Sequence, residues 1–286
     1  MILKNRVAVI TGANRGLGET VARAFAKAGA NLLLAARDGE LLQRVAESIP
    51  CGPDQKLKWL KADISKPSDV EAICDSSNQA FGRIDILVNN AGVYGPIGNF
   101  EEGDWQQWCD AININLLGTV AMSRAIVPQM KRQQYGKIIN LSGGGATSPL
   151  PRFSAYGASK AAVVRFTETI AVELAASHID VNAIAPGSLN TRLLDQVLEA
   201  GPERVGEDFY KRSIKQREEG GASLELAAEL AVFLASAESD GISGRLISAI
   251  WDEWRKFHLY RERIKKSDVF TLRRIIPEDR GMEFKD

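Results

Sequence analysis

Thr11-Gly12-Ala13-Asn14-Arg15-Gly16-Leu17-Gly18 follows the short β-rich run Val7–Ile10 and opens an amphipathic segment that continues to about Ala28 and stops at Gly29. Glycines at such a junction allow a tight turn and let backbone N–H groups approach a diphosphate, whose charge the N-terminus of the following helix stabilises. The spacing is G-x-x-x-G-x-G, not the G-x-G-x-x-G of longer-chain dehydrogenases. A glycine-rich loop can also be no more than a helix-capping turn. Its place at the first strand–helix junction of an alternating pattern makes it a dinucleotide loop. Gly12, Asn14, Arg15, Gly16, Leu17 and Gly18 are therefore cofactor-binding candidates.

Strand-like and helix-like patterns alternate outward from this loop. Leu32–Ala36 is a second apolar run, followed by a helical pattern to about Ser48. Leu57–Lys61 reads as a third strand, and Lys66-Pro67-Ser68-Asp69 as a helix start with proline near the first turn. Ile84–Val88 is nearly all apolar, as strands buried on both faces are. A long helical pattern runs from about Asp104 to Lys131, and Lys137–Leu141 is a strand. Another long helix spans about Phe153 to Ala176, then Asp180–Ile184 is a sixth strand. Repeated units of this kind predict an α/β fold: a doubly wound parallel sheet of Rossmann type with helices on both faces. One domain is expected over 1–250. Within it, residues from about 192 to 222 are polar, charged and dotted with glycine, which predicts a mobile lid rather than a packed element. A helix over about Leu224–Ala235 and a strand at Arg245–Ala249 close the domain, and 251–286 reads as a charged C-terminal extension.

Composition narrows the function. In 286 residues, 36 basic side chains cancel 36 acidic ones, 45% of residues are hydrophobic and 25% charged. That is ordinary globular composition, and zero net charge lacks the footprint of a nucleic-acid or membrane-surface binder. The basic stretch near Arg261–Lys266 is short and interleaved with acids, so it reads as a solvated helix face. No apolar run approaches the roughly 18 residues of a membrane span, and the N-terminus enters a strand without a signal-peptide pattern. Cys51, Cys74 and Cys109 form neither a disulfide framework nor a metal-ligand pattern, so a cytoplasmic location and no metal are expected.

The end of the second strand selects the dinucleotide. An acid about 20 residues past the loop would bind the ribose 2′-hydroxyl of NAD. Ala36 stands there, Arg37 follows it and Arg15 lies inside the loop. Two guanidiniums suit a 2′-phosphate, with which arginine forms charge-assisted and often bidentate bonds. NADP(H) is accordingly expected in preference to NAD. The plainer reading makes both surface arginines.

Tyr156-Gly157-Ala158-Ser159-Lys160 lies near the start of the long helix after the fifth strand, and i, i+4 spacing puts phenol and ammonium on one face. An ammonium about 4–5 Å away favours phenolate by roughly 3–4 kcal/mol at an effective dielectric of ~20, lowering a tyrosine pKa of about 10 by two to three units. Alone, such a pair is usually only a solvated contact. With the other motifs, it resembles the short-chain dehydrogenase/reductase family over about Arg6 to Ile250. The resemblance implies that Asp63-Ile64 contacts adenine and that Asn89-Asn90-Ala91-Gly92 closes the fourth strand against the cofactor. It implies that Asn115 holds a water of a proton relay. Tyr156 would be the catalytic acid/base, and Lys160 its partner and a ligand of the nicotinamide ribose. Pro186-Gly187, Leu189 and Thr191 would cup the nicotinamide amide.

Two departures stand out. The family's serine, thirteen positions before the tyrosine, is replaced by Gly143, with Ser142 one residue earlier and Gly143-Gly144-Gly145 following. Either Ser142 reaches the substrate carbonyl or the chain manages without it. The other departure is the tail, where Trp251 and Trp254 are expected to pack on the body, or the tail to cover a substrate pocket or a neighbouring subunit. The resemblance implies NADP(H)-dependent interconversion of a carbonyl and an alcohol, with a small-molecule substrate and a homotetramer or dimer packed through the two long helices. The rival readings are a catalytically impaired dinucleotide-binding regulator or scaffold, motivated by Gly143, and a different reaction such as dehydration or epimerisation on the same scaffold.

Overall fold

The computed structural model describes residues 1–283, so the last three residues of the predicted tail lie outside the described residues. In chain order the elements are β1 (Val7–Thr11), α1 (Gly16–Lys27), β2 (Asn31–Ala36), α2 (Gly39–Ser48), β3 (Leu57–Lys61), α3 (Pro67–Phe81) and β4 (Ile86–Asn89). They continue with α4 (Trp105–Ile112), α5 (Gly118–Gln133), β5 (Gly136–Leu141), α6 (Ser154–Leu174), β6 (Ile179–Ala185), α7 (Arg192–Val205), α8 (Glu207–Glu219), α9 (Leu224–Ala235), β7 (Arg245–Ser248) and α10 (Phe257–Lys265). The seven strands form one parallel sheet in the order β3-β2-β1-β4-β5-β6-β7. The doubly wound Rossmann-type sheet expected from the alternating pattern is what forms.

Every residue of β1, β4 and β5 is buried, because helices cover both faces. One core joins Val21 and Phe25 of α1 and Leu230 and Leu234 of α9 to Ile10, Leu32 and Leu34 of the sheet. The other joins Ile73 of α3, Met122 and Ile126 of α5 and Leu174 to Val9, Leu33 and Leu87. β3 is an edge strand that keeps Lys58 and Lys61 exposed, a charge pattern that discourages edge pairing with another chain. The strand order reverses between β1 and β4, and the crevice outside the carboxyl ends there is where such sheets bind ligands.

Three expectations change. The 192–222 region is packed, not a polar loop: Gly201 (φ 76°) kinks α7, Gly206 (φ 88°) joins it to α8, and Leu194, Val197 and Val205 turn inward. Its charges pair with one another, Arg192 with Glu199 and Arg217 with Asp195, so polarity there marks an outer face. The long helix from about 104 is divided by a five-residue π-turn, Asn113–Leu117, between α4 and α5. By length and composition alone, the 29-residue run Trp105–Gln133 is long and apolar enough to cross a membrane. Counting uninterrupted apolar residues misses it because Arg124 and the polar turn intervene, and its Met122, Ile126 and Met130 face is in the core.

The tail packs on its own body. Trp254, Phe257 and Ile264 are buried in the α1–α9 core, whereas Trp251 is 84% exposed, which corrects its assignment to the core. Glu262, Arg263, Lys265 and Lys266 are exposed, as a solvated basic stretch would be, whereas Arg261 is half-buried and donates to Glu238 O at 2.9 Å. Arg245, itself buried, donates to the carbonyls of Ile264 (2.6 Å), Ser267 (3.0 Å) and Val269 (2.9 Å). Leu246 N–H donates to Phe270 O at 2.8 Å, so the returning tail covers the β7 edge that would otherwise present unpaired groups.

Candidate active site

A groove of about 450 Å³ opens at the β1/β4 crevice, and Gly12, Asn14, Arg15, Gly16, Leu17 and Gly18 line it. Thr11 Oγ1 ties the two strand ends, accepting from Asn90 N–H (3.1 Å) and Ala91 N–H (3.2 Å). Asn90 Nδ2 donates back to the carbonyls of Thr11 (3.0 Å) and Gly12 (3.1 Å), clamping the loop. A Cβ at Gly18 would stand 2.2 Å from Gly12 O and 2.4 Å from Asn90 Nδ2. Gly12 and Gly16 hold φ of 64° and 52°, a region open to glycine at little cost. The α1 N-terminus has no side-chain cap at Arg15, so its first N–H groups remain available to an anion. An open glycine cradle on an uncapped helix end fits a dinucleotide diphosphate.

At the far end of this groove, Ala36, Arg37, Asp63 and Ile64 form the wall. Arg15 and Arg37 are both present as expected, but so is a carboxylate. Asp38, two residues beyond the position that usually selects NAD, also lines the groove. Its Oδ1 accepts from Leu41 N–H (3.0 Å) as the cap of α2, and its Oδ2 faces Arg15 Nη2 at 3.4 Å. With side chains 50% and 46% exposed, this pair is worth no more than about 1 kcal/mol. Asp63 turns to its own loop, accepting from Ser65 N–H (3.0 Å) and Ser65 Oγ (2.7 Å). Burial alone raises the Asp63 pKa, but the Ser65 bonds and the Arg37 and Lys66 charges outweigh it and hold the carboxyl below its ordinary value.

At the other end Ser142, Tyr156 and Lys160 line the same groove. Lys160 Nζ donates to Leu141 O (2.7 Å) and lies 5.6 Å from the Tyr156 ring centroid. Burial lowers its pKa to about 8. Tyr156 departs from expectation: burial, and secondarily the Tyr94 phenol, push its pKa above the ordinary tyrosine value. The i, i+4 spacing gives the shared face but not the depth, and at this depth desolvation governs the phenol. Gly143 is required where it stands, since a Cβ there would meet Tyr156 Oη at 2.2 Å. Ser142 Oγ is buried with no hydrogen-bond partner among the described residues.

Asn115 sits within the π-turn, fully buried, a feature frequent at functional sites. Its Oδ1 accepts from Val93 N–H (2.8 Å), and its Nδ2 donates to Val93 O (2.8 Å) and Ser159 Oγ (2.9 Å). One Oδ1 lone pair is left. The gap beside Gly92 Cα adjoins it: a Cβ at Gly92 would lie 3.3 Å from Asn115 Oδ1 and 3.5 Å from Lys160 Nζ. Pro186, Leu189 and Thr191 line the groove as predicted. Gly187 (φ 89°) lies against Ile250, whose Cδ1 would be 2.0 Å from a Cβ there. Thr191 covers Gly16, its Cγ2 3.3 Å from the corresponding point. Among the described residues, the groove lining ends at Gln196, so the tail does not cover it.

A reversed parallel sheet with a glycine cradle and a Tyr–Lys face at one crevice defines a dinucleotide-binding oxidoreductase architecture. The short chain dehydrogenase pattern matches residues 6–201, and the chain belongs to the short-chain dehydrogenase/reductase family of oxidoreductases, which bind NAD(P)(H). It is 37% identical over 247 residues to Oxidoreductase UcpA of Salmonella typhimurium, covering 85% of this chain and 92% of that protein. Among solved structures, levodione reductase aligns with a TM-score of 0.79 at 27% identity, covering 86% of this chain and 96% of that one. The 3-ketoacyl-(acyl-carrier-protein) reductase of Brucella melitensis, complexed with NADH, aligns with a TM-score of 0.75 at 33% identity, covering 86% and 97%.

Sequence reading missed several lining and supporting residues. Tyr94 packs edge-on to Tyr156, with ring centroids 4.7 Å apart. Ser159, three residues after Tyr156, links Asn115 to the Tyr156 carbonyl by donating to it at 2.8 Å; its helical spacing was the available signal. Leu193 and Gln196 also line the groove, and nothing in their local sequence distinguishes them.

Proposed function

We propose that the protein interconverts a carbonyl and an alcohol with NADP(H), with Tyr156 moving the proton at the substrate oxygen. The observation that carries this reading is that Ser142, Tyr156 and Lys160 share one groove with the glycine cradle. The dinucleotide, when bound, supplies or accepts the hydride. Tyr156 Oη gives its proton to the carbonyl oxygen in reduction, while Ser142 Oγ donates a hydrogen bond to that oxygen as charge develops. Lys160 holds the ribose and relays a proton to Tyr156, and Asn115 links Lys160 to solvent through the gap beside Gly92 that lies between Lys160 Nζ and Asn115 Oδ1. Burial favours the neutral phenol, the form that gives its proton to the carbonyl oxygen in reduction.

NADP(H) is supported by Arg15 and Arg37 at the groove's end, where Asp38 is occupied as a helix cap. Arg37→Ala should lower the kcat/KM preference for NADPH over NADH by roughly ten- to a hundredfold, the value of a charge-assisted bond of about 1.5–3 kcal/mol. The test is NADPH and NADH oxidation across a panel of carbonyl compounds. Equal use of the two nucleotides by the wild type, or an unchanged ratio in Arg37→Ala, rejects the NADP assignment.

We further propose a dimer or tetramer packed through the α4–α5 and α6 faces, where Leu117 (52%) and Val172 (80%) are exposed; a monomer in sedimentation would reject it. A cytoplasmic location is proposed from the three free cysteines, and recovery of the chain from a disulfide-forming compartment would reject that.

A further inference from the structure

The groove holds a polar group that the proton chemistry does not use. Leu193 and Gln196, three residues apart on one face of α7, line it together with Ser142 and Tyr156. The Gln196 carboxamide oxygen is buried with no hydrogen-bond partner among the described residues. Gln196 is half-buried, and Val197 beside it, buried in an apolar cluster with Phe153 and Tyr156, fixes the turn of α7 that carries it. A buried carboxamide oxygen without a partner is costly, and a ligand group that donates to it removes that cost. Ser142 Oγ is a second such group in the same groove, and the substrate carbonyl accounts for that one. Val93, Pro186, Leu189 and Leu193 give the same groove apolar lining, while Tyr94 packs behind Tyr156 with ring centroids 4.7 Å apart.

We infer that Gln196 is a specificity-determining residue that receives a second hydroxyl on the substrate, so that the substrate class is a hydroxy ketone with an apolar ring or chain. A hydroxyl both donates and accepts, so it completes the carboxamide in either orientation of its oxygen and nitrogen. In the oxidative direction the corresponding substrate is a diol. The inference rests on the carbonyl–alcohol reading above and adds the second polar anchor.

Matched pairs test it on the full chain: α-hydroxyacetophenone against acetophenone, and 2-hydroxycyclohexanone against cyclohexanone, each with NADPH. The wild type should favour the hydroxylated member by tenfold or more in kcat/KM, since a site built to bond a hydroxyl discriminates against the analogue lacking it. In Gln196→Leu that ratio should fall to within threefold, mainly through loss on the hydroxylated member. Gln196→Met serves as a second variant of unbranched shape should the leucine variant fold poorly. A wild-type ratio under threefold, a ratio retained in both variants, or a change confined to the KM for NADPH overturns the inference. NADPH consumption no faster than a Tyr156→Phe blank with every ketone overturns the carbonyl reading itself, whereas turnover without discrimination overturns only the role of Gln196.

Discussion

Lys160→Met should stabilise the cofactor-free protein at neutral pH and lose that advantage as the solution is made alkaline. Lys160 is 4% exposed, and burial takes its pKa from 10.5 to about 8. Between those values the unfolded chain binds more protons than the folded one, so the stability of the wild type rises with pH across that window. The depressed pKa costs folding about 3 kcal/mol at pH 7 and under about 1 kcal/mol at pH 10. Methionine removes the charge but leaves the Leu141 carbonyl without its 2.7 Å donor, a loss of about 1 kcal/mol that does not depend on pH. The variant should therefore be more stable by about 2 kcal/mol at pH 7, and the gap should shift towards the wild type by about 2–3 kcal/mol by pH 10. Urea denaturation at the two pH values, with equal m-values, measures it. A gap that stays constant to within about 0.5 kcal/mol would refute the claim that burial governs this lysine.

Gly143→Ser places a serine where the family pattern has one, yet its Cβ would enter the space of Tyr156 Oη, so turnover should fall on the order of 10²-fold; steady-state rates equal to or above wild type would contradict this. Arg245→Ala removes the donor to three tail carbonyls and should cost about 2–4 kcal/mol. Limited proteolysis should then cut within residues 257–272 first, and an unaltered cleavage pattern and Tm would show that the arginine does not hold the tail.

The sheet was legible because strands buried on both faces and a glycine junction leave strong local patterns. Gly12, Gly16 and Gly18 mark the cradle by spacing alone, and the Tyr156–Lys160 spacing gives their shared face. Depth was not legible. Whether desolvation or the ammonium governs Tyr156 depends on Tyr94, Phe153 and α7 closing over it, contacts made at long sequence separation. The 192–222 segment reads as loose from its charges alone, but Arg192–Glu199 and Arg217–Asp195 pair on the outer face and leave Leu194 and Val197 inward. Asp38 is adjacent to Arg37 in sequence, but its role as helix cap and groove wall emerges only from the fold. Trp251 and Trp254 illustrate the same limit, since an exposed indole and a buried one stand only three positions apart.

The most direct measurement is the initial rate of NADPH oxidation by the wild type and by Tyr156→Phe with one carbonyl compound that the wild type reduces. Removing a single hydroxyl deletes the proton donor and little else, and a positioned acid contributes about 10²–10⁴-fold. The account predicts a rate lower by at least that hundredfold, with NADPH affinity within threefold of wild type. A phenylalanine variant that retains more than a third of the wild-type rate would contradict it.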